Sequence, residues 1–382
     1  MGLIWRYRLH LIVVAAITAY VGCTDVKFKT VPSDDCVNAN EYGNNTCFEQ
    51  EGWLNYHFEF KVGRVDILFV DDNSGSMYVE QSHMADRFPN LLNKISSLDY
   101  QMAVVTTDIS HSPSNSTPRP ANGNGAFQDG KFLPFPNGDY ILNPLTPNLV
   151  QYFRDTIRRP ETLTCDNTNY ADCPSGDERG IYAINMALDR ADPRFFRTDS
   201  HLAVVILSDE DERSNGGGIP GYPLQTYDLP VTFAQKVNSQ LGKGKTVSVH
   251  AVIVKPGDSN CLNSQNSQAK VKGYYGTQYA RLVKGDTDTE LKAAHPGFLR
   301  GELGSICASD YGAQMGDIGG RLPVNANVKV LPCVPEADKI DVIFSPAPSY
   351  QIEFDVQANG LLTFDPQPPA GTTVSVDVTC RK

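Results

Sequence analysis

Four short runs of apolar, β-branched residues recur along the chain, and segments with helical periodicity lie between and after them. The apolar runs cover residues 64–71, 100–107, 201–208 and 246–254. The helical patterns cover residues 77–97, 179–190, 229–241 and 278–284. Strands that are apolar on both faces and alternate with helices indicate βαβ units, which form a mostly parallel sheet with helices on both faces. The sequence therefore predicts a doubly wound, Rossmann-like α/β fold.

Composition narrows the class of protein without deciding its function. The chain has 382 residues, which is enough for about two or three domains. Its 33 Lys and Arg residues face 44 Asp and Glu residues, giving a net charge of −11. This balance argues against a nucleic-acid partner, because such binding needs a basic surface that displaces counterions.

The first residues have the pattern of an export signal. Residues 11–22 are uncharged and follow Arg6 and Arg8, but twelve residues rise only about 18 Å as a helix, too short for a bilayer. The ending Tyr20-Val21-Gly22-Cys23 resembles a bacterial lipobox. This pattern predicts removal of residues 1–22 and a lipid on Cys23. The alternative is plain secretion with Cys23 unmodified.

The cysteine count is consistent with lipidation of Cys23. The chain has nine cysteines, so eight remain for disulfides in an oxidising compartment. The sequence alone leaves their pairing open. Proximity along the chain suggests Cys36–Cys47, Cys165–Cys173, Cys261–Cys307 and Cys333–Cys380.

These patterns predict four consecutive parts. Residues 1–22 form the signal peptide, and residues 23–62 form a polar tether with a Cys36/Cys47 loop. Residues 63–322 form the α/β domain, which carries two long insertions at 108–147 and 159–177. Residues 323–382 contain short β-like pieces separated by turn residues, which indicates a small all-β domain resembling a β-sandwich.

The most informative motif joins the first apolar run to the first helix. It reads Asp72-Asn73-Ser74-Gly75-Ser76. A strand end places Asp72 at the carboxyl edge of the sheet, where open α/β folds bind ligands. One carboxylate and two hydroxyls form an oxygen set suited to Mg²⁺. The alternative is a serine that caps the helix while Asp72 stabilises its start.

The motif and its context resemble the von Willebrand factor type A family and its metal-ion-dependent adhesion site. The resemblance covers residues 63–321 and includes the later strand 203–209, which ends in Ser208-Asp209. It implies that Asp72, Ser74, Ser76 and Asp209 hold a divalent cation, Mg²⁺ or alternatively Ca²⁺ or Mn²⁺. The family's middle ligand is usually a threonine. This chain has none in the corresponding loop, and Glu178 is the expected replacement.

The resemblance implies a non-catalytic binding protein in which a protein partner's carboxylate, or a water molecule, completes the metal coordination. A lipid anchor would place it in the bacterial cell envelope, at the outer membrane, facing the periplasm or the surface. The alternative is a structural or assembly protein whose metal only stabilises the fold. A metal-dependent hydrolase is disfavoured, because no general base stands at a defined spacing from the motif.

Overall fold

The computed structural model describes Cys36, Tyr42 and residues 45–110, 127–164, 174–175, 177–267 and 272–382. In chain order, the strands are β1 (Asn45–Gln50), β2 (Trp53–Lys61), β3 (Arg64–Asp71), β4 (Asp99–Thr106), β5 (His201–Leu207), β6 (Val247–Ile253), β7 (Phe298–Leu299), β8 (Leu303–Ser305), β9 (Lys329–Val330), β10 (Ile340–Ser345), β11 (Glu353–Val356), β12 (Leu361–Asp365) and β13 (Thr373–Arg381). The helices are α1 (Tyr78–Ile95), α2 (Leu149–Ile157), α3 (Pro160–Thr164), α4 (Gly180–Arg190), α5 (Pro230–Lys236), α6 (Ser259–Asn266), α7 (Thr277–Val283), α8 (Thr289–Ala294) and α9 (Tyr311–Asn325). Short helical turns cover Arg213–Gly216, Thr226–Asp228, Val237–Leu241 and Gly285–Thr287.

A six-stranded parallel sheet forms the centre of the α/β part. Its strand order is β4-β3-β5-β6-β7. The sixth strand, β8, pairs with the C-terminal half of β6, whereas β7 pairs with its N-terminal half. Such an order needs crossover connections, which the helices supply. The expected doubly wound α/β fold is confirmed, and the four predicted strands end within one or two residues of the observed ones.

The two faces of the sheet bury two separate cores. On one face, Phe69 of β3 packs with Phe88 of α1 and Phe153 of α2, with ring centroids of Phe69 and Phe153 4.7 Å apart. On the other face, Leu68 of β3 belongs to the core formed with α4, α5 and α7. Alternate residues of one strand therefore enter opposite cores, as the continuous apolar run requires.

Residues 127–147 of the first insertion cover the outer edge of β4. Leu142 and Met102 exchange backbone hydrogen bonds of 2.8 and 2.9 Å, and Leu133 donates to Val104 at 2.8 Å. Phe127, Leu133 and Leu142 of this insertion are buried. The insertion thus protects an exposed strand edge from pairing with another chain.

The tether expected at residues 23–62 is wrong for residues 45–61. β2 pairs with β13 along nine residues, from Trp53↔Arg381 to Lys61↔Thr373, and β1 pairs with β2. The resulting sheet has the order β1-β2-β13-β10 and shares a core with the sheet β11-β12-β9. The reason is the alternation in β2, which buries Leu54, Tyr56, Phe58 and Phe60. The all-β part is therefore built from both ends of the described chain.

The boundary predicted at residue 323 also differs from the structure. Helix α9 continues to Asn325, with Pro323 inside its last turn. The helix extends because Ile318 and Leu322 bury against α1 and the sheet. The C-terminal segment of the all-β part begins with β9 at Lys329.

Three of the four suggested disulfides are present. Cys36–Cys47, Cys261–Cys307 and Cys333–Cys380 are bonded, with Cα–Cα distances of 5.6, 5.6 and 5.9 Å. Cys165, Cys173, Cys23 and the signal at residues 1–22 lie outside the described residues. Disulfides of this kind indicate an oxidising, extracytoplasmic compartment. Within the described part of the chain, no helix has the length and apolar character to cross a membrane.

Candidate functional site

Asp72 lies at the carboxyl edge of the sheet, between the ends of β3 and β5. Its backbone N–H donates to the carbonyl of Leu207 at 3.0 Å, which extends the β3–β5 pairing by one residue. The carboxylate is buried and accepts two hydrogen bonds. Oδ1 accepts from the Ser74 backbone N–H at 2.9 Å, and Oδ2 accepts from Ser208 Oγ at 2.6 Å. The end of the strand thereby fixes this side chain.

The two serine hydroxyls of the motif face each other beside Asp209. Ser74 Oγ and Ser76 Oγ are 2.9 Å apart, and Ser76 Oγ donates to Asp209 Oδ1 at 3.1 Å. Asp209 is fully buried, and its Oδ2 has no hydrogen-bond partner among the described residues. The structure therefore brings Asp209 close to the Asp72, Ser74 and Ser76 motif, the grouping that the family resemblance implies.

The alternative role for the serines, capping of the first helix, is wrong. The residue at the cap position of α1 is Met77, and no side-chain capping hydrogen bond is present there. The hydroxyls of Ser74 and Ser76 instead point to each other and to Asp209. This arrangement leaves their oxygens available as ligands.

Glu178 lies near these residues but outside their hydrogen-bond network. It is buried, and its Oε2 accepts a hydrogen bond from Ser214 Oγ at 3.0 Å. Burial, followed by the carboxyls of Glu210 and Asp72, raises the pKa of Glu178 well above its ordinary range. Its place as a metal ligand remains a prediction.

Burial makes this carboxyl cluster electrostatically costly. It raises the pKa of Asp72 and raises the pKa of Asp209 and Glu178 well above the ordinary range. Repulsion by Asp72 adds to the effect on Asp209, and repulsion by Glu210 adds to that on Glu178. Burial likewise raises the pKa of Glu210 to about 8. A divalent cation would offset this repulsion, because it favours the ionised form of every nearby carboxyl.

The oxygen atoms of this site fit a hard cation when the serine hydroxyls act as ligands together with the carboxylates. Within the described residues, no three His, Cys, Asp or Glu side chains lie close enough to hold a metal ion by themselves. Two buried carboxylates, two converging hydroxyls and the unpartnered Asp209 Oδ2 are nevertheless hard-oxygen donors of the type Mg²⁺ uses with retained water. The residues present therefore fit a divalent cation.

The acidic loop after β5 contributes differently from what its sequence suggests. The acidic pair Asp211-Glu212 follows Asp209 in sequence, and such a run is typical of a solvated loop or, alternatively, of an outer cation shell. Both are buried, so the solvated interpretation is wrong. Asp211 accepts from the Gln278 backbone N–H at 2.9 Å. Glu212 accepts from the N–H groups of Ile181 and Tyr182, at 2.7 and 3.0 Å, at the start of α4.

Sequence reasoning missed Ser208 and Glu210. Ser208 orients Asp72, and Glu210 faces Glu178 and the cluster. Their one sequence signal is position, because both stand within three residues of the end of β5. Residues at the carboxyl ends of parallel strands converge at the ligand edge of the sheet.

Comparison with known proteins gives only distant likeness. No protein-family model matches the chain, and no curated protein matches it significantly in sequence. Its structure is similar to the pilus adhesin SpaC of Lactobacillus rhamnosus GG in its open conformation, with 10% identity and a TM-score of 0.36, over 88% of this chain and 42% of that protein. It is similar to proximal thread matrix protein 1 of the mussel byssus, with 12% identity and a TM-score of 0.31, over 71% of this chain and 50% of that protein. It is also similar to the manganese-loaded TRAP protein of Plasmodium vivax, with 13% identity and a TM-score of 0.24, over 60% of this chain and 74% of that protein. The chain thus spans half or less of the first two proteins, and the likeness concerns the fold alone.

Proposed function

We propose that this chain is a non-catalytic binding protein of the bacterial envelope that captures a protein partner through a divalent cation. The observation that carries the proposal is the contact of the Ser74 and Ser76 hydroxyls beside Asp209, whose Oδ2 has no hydrogen-bond partner in the described part of the chain. The cation would be Mg²⁺, with Ca²⁺ or Mn²⁺ as alternatives.

Each residue of the site would have a distinct role in holding the cation. Asp72 and Asp209 supply the negative charge, and Ser74 and Ser76 supply neutral oxygens. Ser208 holds the Asp72 carboxylate in place through its 2.6 Å hydrogen bond. A bound cation would supply a Lewis-acidic position at the surface that accepts a carboxylate oxygen from the partner.

The family resemblance supports the same function. The motif resembles the adhesion site of von Willebrand factor type A domains, and the strand order places it at the edge where such folds bind ligands. The lipobox-like sequence before Cys23 supports a lipid anchor, which we assign to the outer membrane. The disulfides agree with an extracytoplasmic position.

Titration calorimetry with Mg²⁺ tests the cation site directly. The wild-type protein should bind one equivalent, and Asp72→Ala should abolish binding because it removes a central anionic ligand. Asp155→Ala, at an exposed aspartate on α2, should bind Mg²⁺ like the wild type. Equal affinity in wild type and Asp72→Ala would refute the site.

The second candidate is a structural role in which the cation only stabilises the fold. The observation that favours it is the burial of Asp72 and Asp209, whose repulsion a cation would relieve. A fluorescein-labelled glutamate-containing peptide separates the two functions. Mg²⁺-dependent peptide capture supports binding, whereas an Mg²⁺-dependent rise in Tm without capture supports the structural role.

A further inference from the structure

A positively charged cleft lies at the edge of the sheet in this acidic protein. Its volume is about 870 Å³, and its walls are α7, the turn after β6 and the segment between β7 and β8. Four cationic side chains line it: Lys255, Arg281, Lys284 and Arg300. With a net charge of −11 for the whole chain, a local excess of positive charge is a specific feature of this surface.

Three of these four cations have no acidic partner within the described ranges of the chain. Arg281 is neutralised by Asp288, at 2.9 Å, and by Glu290. Glu302, the acidic residue of the cleft, pairs instead with Arg321 at 2.6 Å. Among the described residues, no carboxylate forms an ion pair with Lys255, Lys284 or Arg300. The cleft therefore offers three uncompensated positive charges to an anionic ligand.

The cleft is connected to the carboxyl cluster through α7 and the segment before it. The Tyr274 backbone N–H donates to the Asp209 carbonyl at 2.9 Å, and the Gln278 N–H donates to Asp211 at 2.9 Å. β8 lies two strands away from β5 through β6, which corresponds to about 10 Å at the usual strand spacing. An extended peptide covers this distance with about three residues.

Apolar side chains also line the cleft. Ala280 and Val283 of α7 and Leu303 of β8 contribute to its walls together with the cationic side chains. A lining of positive and apolar side chains matches an extended peptide whose acidic residues alternate with small apolar ones, since successive side chains of a strand point in opposite directions.

We propose that this cleft binds an acidic segment of the same protein partner that supplies a carboxylate to the cation. This assignment rests on the proposed function and specifies its partner as an extended acidic segment. One carboxylate would bind the cation, and the carboxylates that follow would bind Lys255, Lys284 and Arg300. Attraction by the cleft would also compensate for the negative charge of Asp72, Asp209 and their neighbours, which repels an acidic ligand.

The test uses a fluorescein-labelled peptide of alternating glutamate and alanine, with anisotropy measured in Mg²⁺ and in EDTA. The variant Lys255→Glu/Lys284→Glu/Arg300→Glu should bind the peptide about tenfold more weakly in both conditions, because three surface charge contacts are reversed. The variant Lys61→Glu/Arg87→Glu/Lys131→Glu has the same net charge and should bind as the wild type does, since these exposed cations lie outside the cleft.

The outcomes separate the cleft from the cation site. Unchanged binding in the cleft variant overturns the cleft assignment and leaves Mg²⁺-dependent capture intact. Cation-independent binding that Asp72→Ala does not alter, but the cleft variant does, supports the cleft and overturns the proposed adhesion function. Cleft-dependent capture of polygalacturonate, with no capture of the peptide, overturns the peptide assignment in favour of an acidic polysaccharide. Mg²⁺ titration of the cleft variant shows whether it remains folded.

Discussion

Glu178 occupies the loop position where the type A resemblance implies a threonine. Its carboxyl is buried beside Glu210, and burial together with Glu210 raises its pKa. As a ligand it would add a third carboxylate to Asp72 and Asp209. Such a site should hold a divalent cation more tightly, favour Ca²⁺ with its larger oxygen count, and attract an acidic partner less.

Glu178→Thr should therefore weaken cation binding by about tenfold while strengthening capture of the acidic peptide at saturating Mg²⁺. Calorimetry with Mg²⁺ and Ca²⁺, followed by peptide anisotropy, measures both effects. Glu210→Gln is the matched variant, since it neutralises the facing carboxyl without changing Glu178. An unchanged cation affinity in Glu178→Thr would place Glu178 outside the coordination sphere.

The buried His295 makes the stability of the protein depend on pH. Its Nε2 donates to the Lys245 carbonyl at 2.7 Å, and burial lowers its pKa from 6.5 to about 4. Between these values the unfolded chain binds a proton that the folded chain does not. Stability contributed by neutral His295 is therefore complete above pH 6.5 and is lost as the pH falls towards 4.

His295→Gln keeps a hydrogen-bond donor but cannot titrate. Between pH 7 and pH 5, the free energy of unfolding should fall by about 2 kcal/mol more in the wild type than in this variant. Urea unfolding at both pH values measures the difference. Parallel losses in the two proteins would show that His295 does not contribute to the pH dependence.

At the scale of elements, the Cys261–Cys307 disulfide joins helix α6 to the residues after β8. The two cysteines are 46 residues apart in sequence, and the segment between them contains α7, α8 and every wall of the charged cleft except the turn after β6. A cross-link of this span restricts the unfolded chain more than a short loop does.

Replacing both cysteines, Cys261→Ser/Cys307→Ser, should lower the free energy of unfolding by about 4 kcal/mol. Non-reducing peptide mapping should recover the linked pair in the wild type, and guanidinium unfolding should measure the loss. Cys333→Ser/Cys380→Ser, with a separation of 47 residues, is the matched control in the all-β part. A loss below about 1 kcal/mol in the first variant would contradict the entropic account.

At the scale of the whole molecule, the all-β part depends on residues that precede the α/β part in sequence. β2 lies between β1 and β13 in its sheet and contributes Leu54, Tyr56, Phe58 and Phe60 to the shared core. Deleting residues 45–61 should remove roughly 6 kcal/mol or more of the free energy gained by burying these apolar side chains. This loss is comparable with the stability of a small domain.

The deletion should therefore abolish amide protection from hydrogen exchange in β10 and β13 while protection persists in β3 and β5. Hydrogen exchange followed by mass spectrometry measures both regions in one experiment. Deleting residues 24–34, which leaves the β2–β13 pairing untouched, is the control. Retained protection in β13 would show that the all-β part folds without β2.

Anchoring also concerns the whole molecule. Cys23→Ser should move the protein from the membrane fraction to the soluble fraction, because each buried acyl CH₂ contributes about 0.8 kcal/mol to membrane binding. Fractionation and intact mass measure the change. Sedimentation of the variant with membranes, together with an unlipidated wild type, would contradict the anchor.

Features that depend on local pattern could be predicted from the amino-acid sequence alone. Apolar runs such as 201–208 define strands buried on both faces, and the order of strands and helices restricts the fold to a doubly wound sheet. A strand end followed by Asp72, Ser74 and Ser76 also locates the carboxyl edge of that sheet. These inferences need only neighbours along the chain.

Tertiary structure decided everything that joins distant segments. Pairing of β2 with β13 spans more than 300 residues, and the side chains of β2 alone do not specify that partner. Glu210 and Ser208 lie in the carboxyl cluster because β5 pairs with β3. Lys255 and Arg300 line the same cleft because β6 pairs with β8. Which strands pair depends on how all of their side chains are buried in the core. These contacts therefore form only when the sheets are complete.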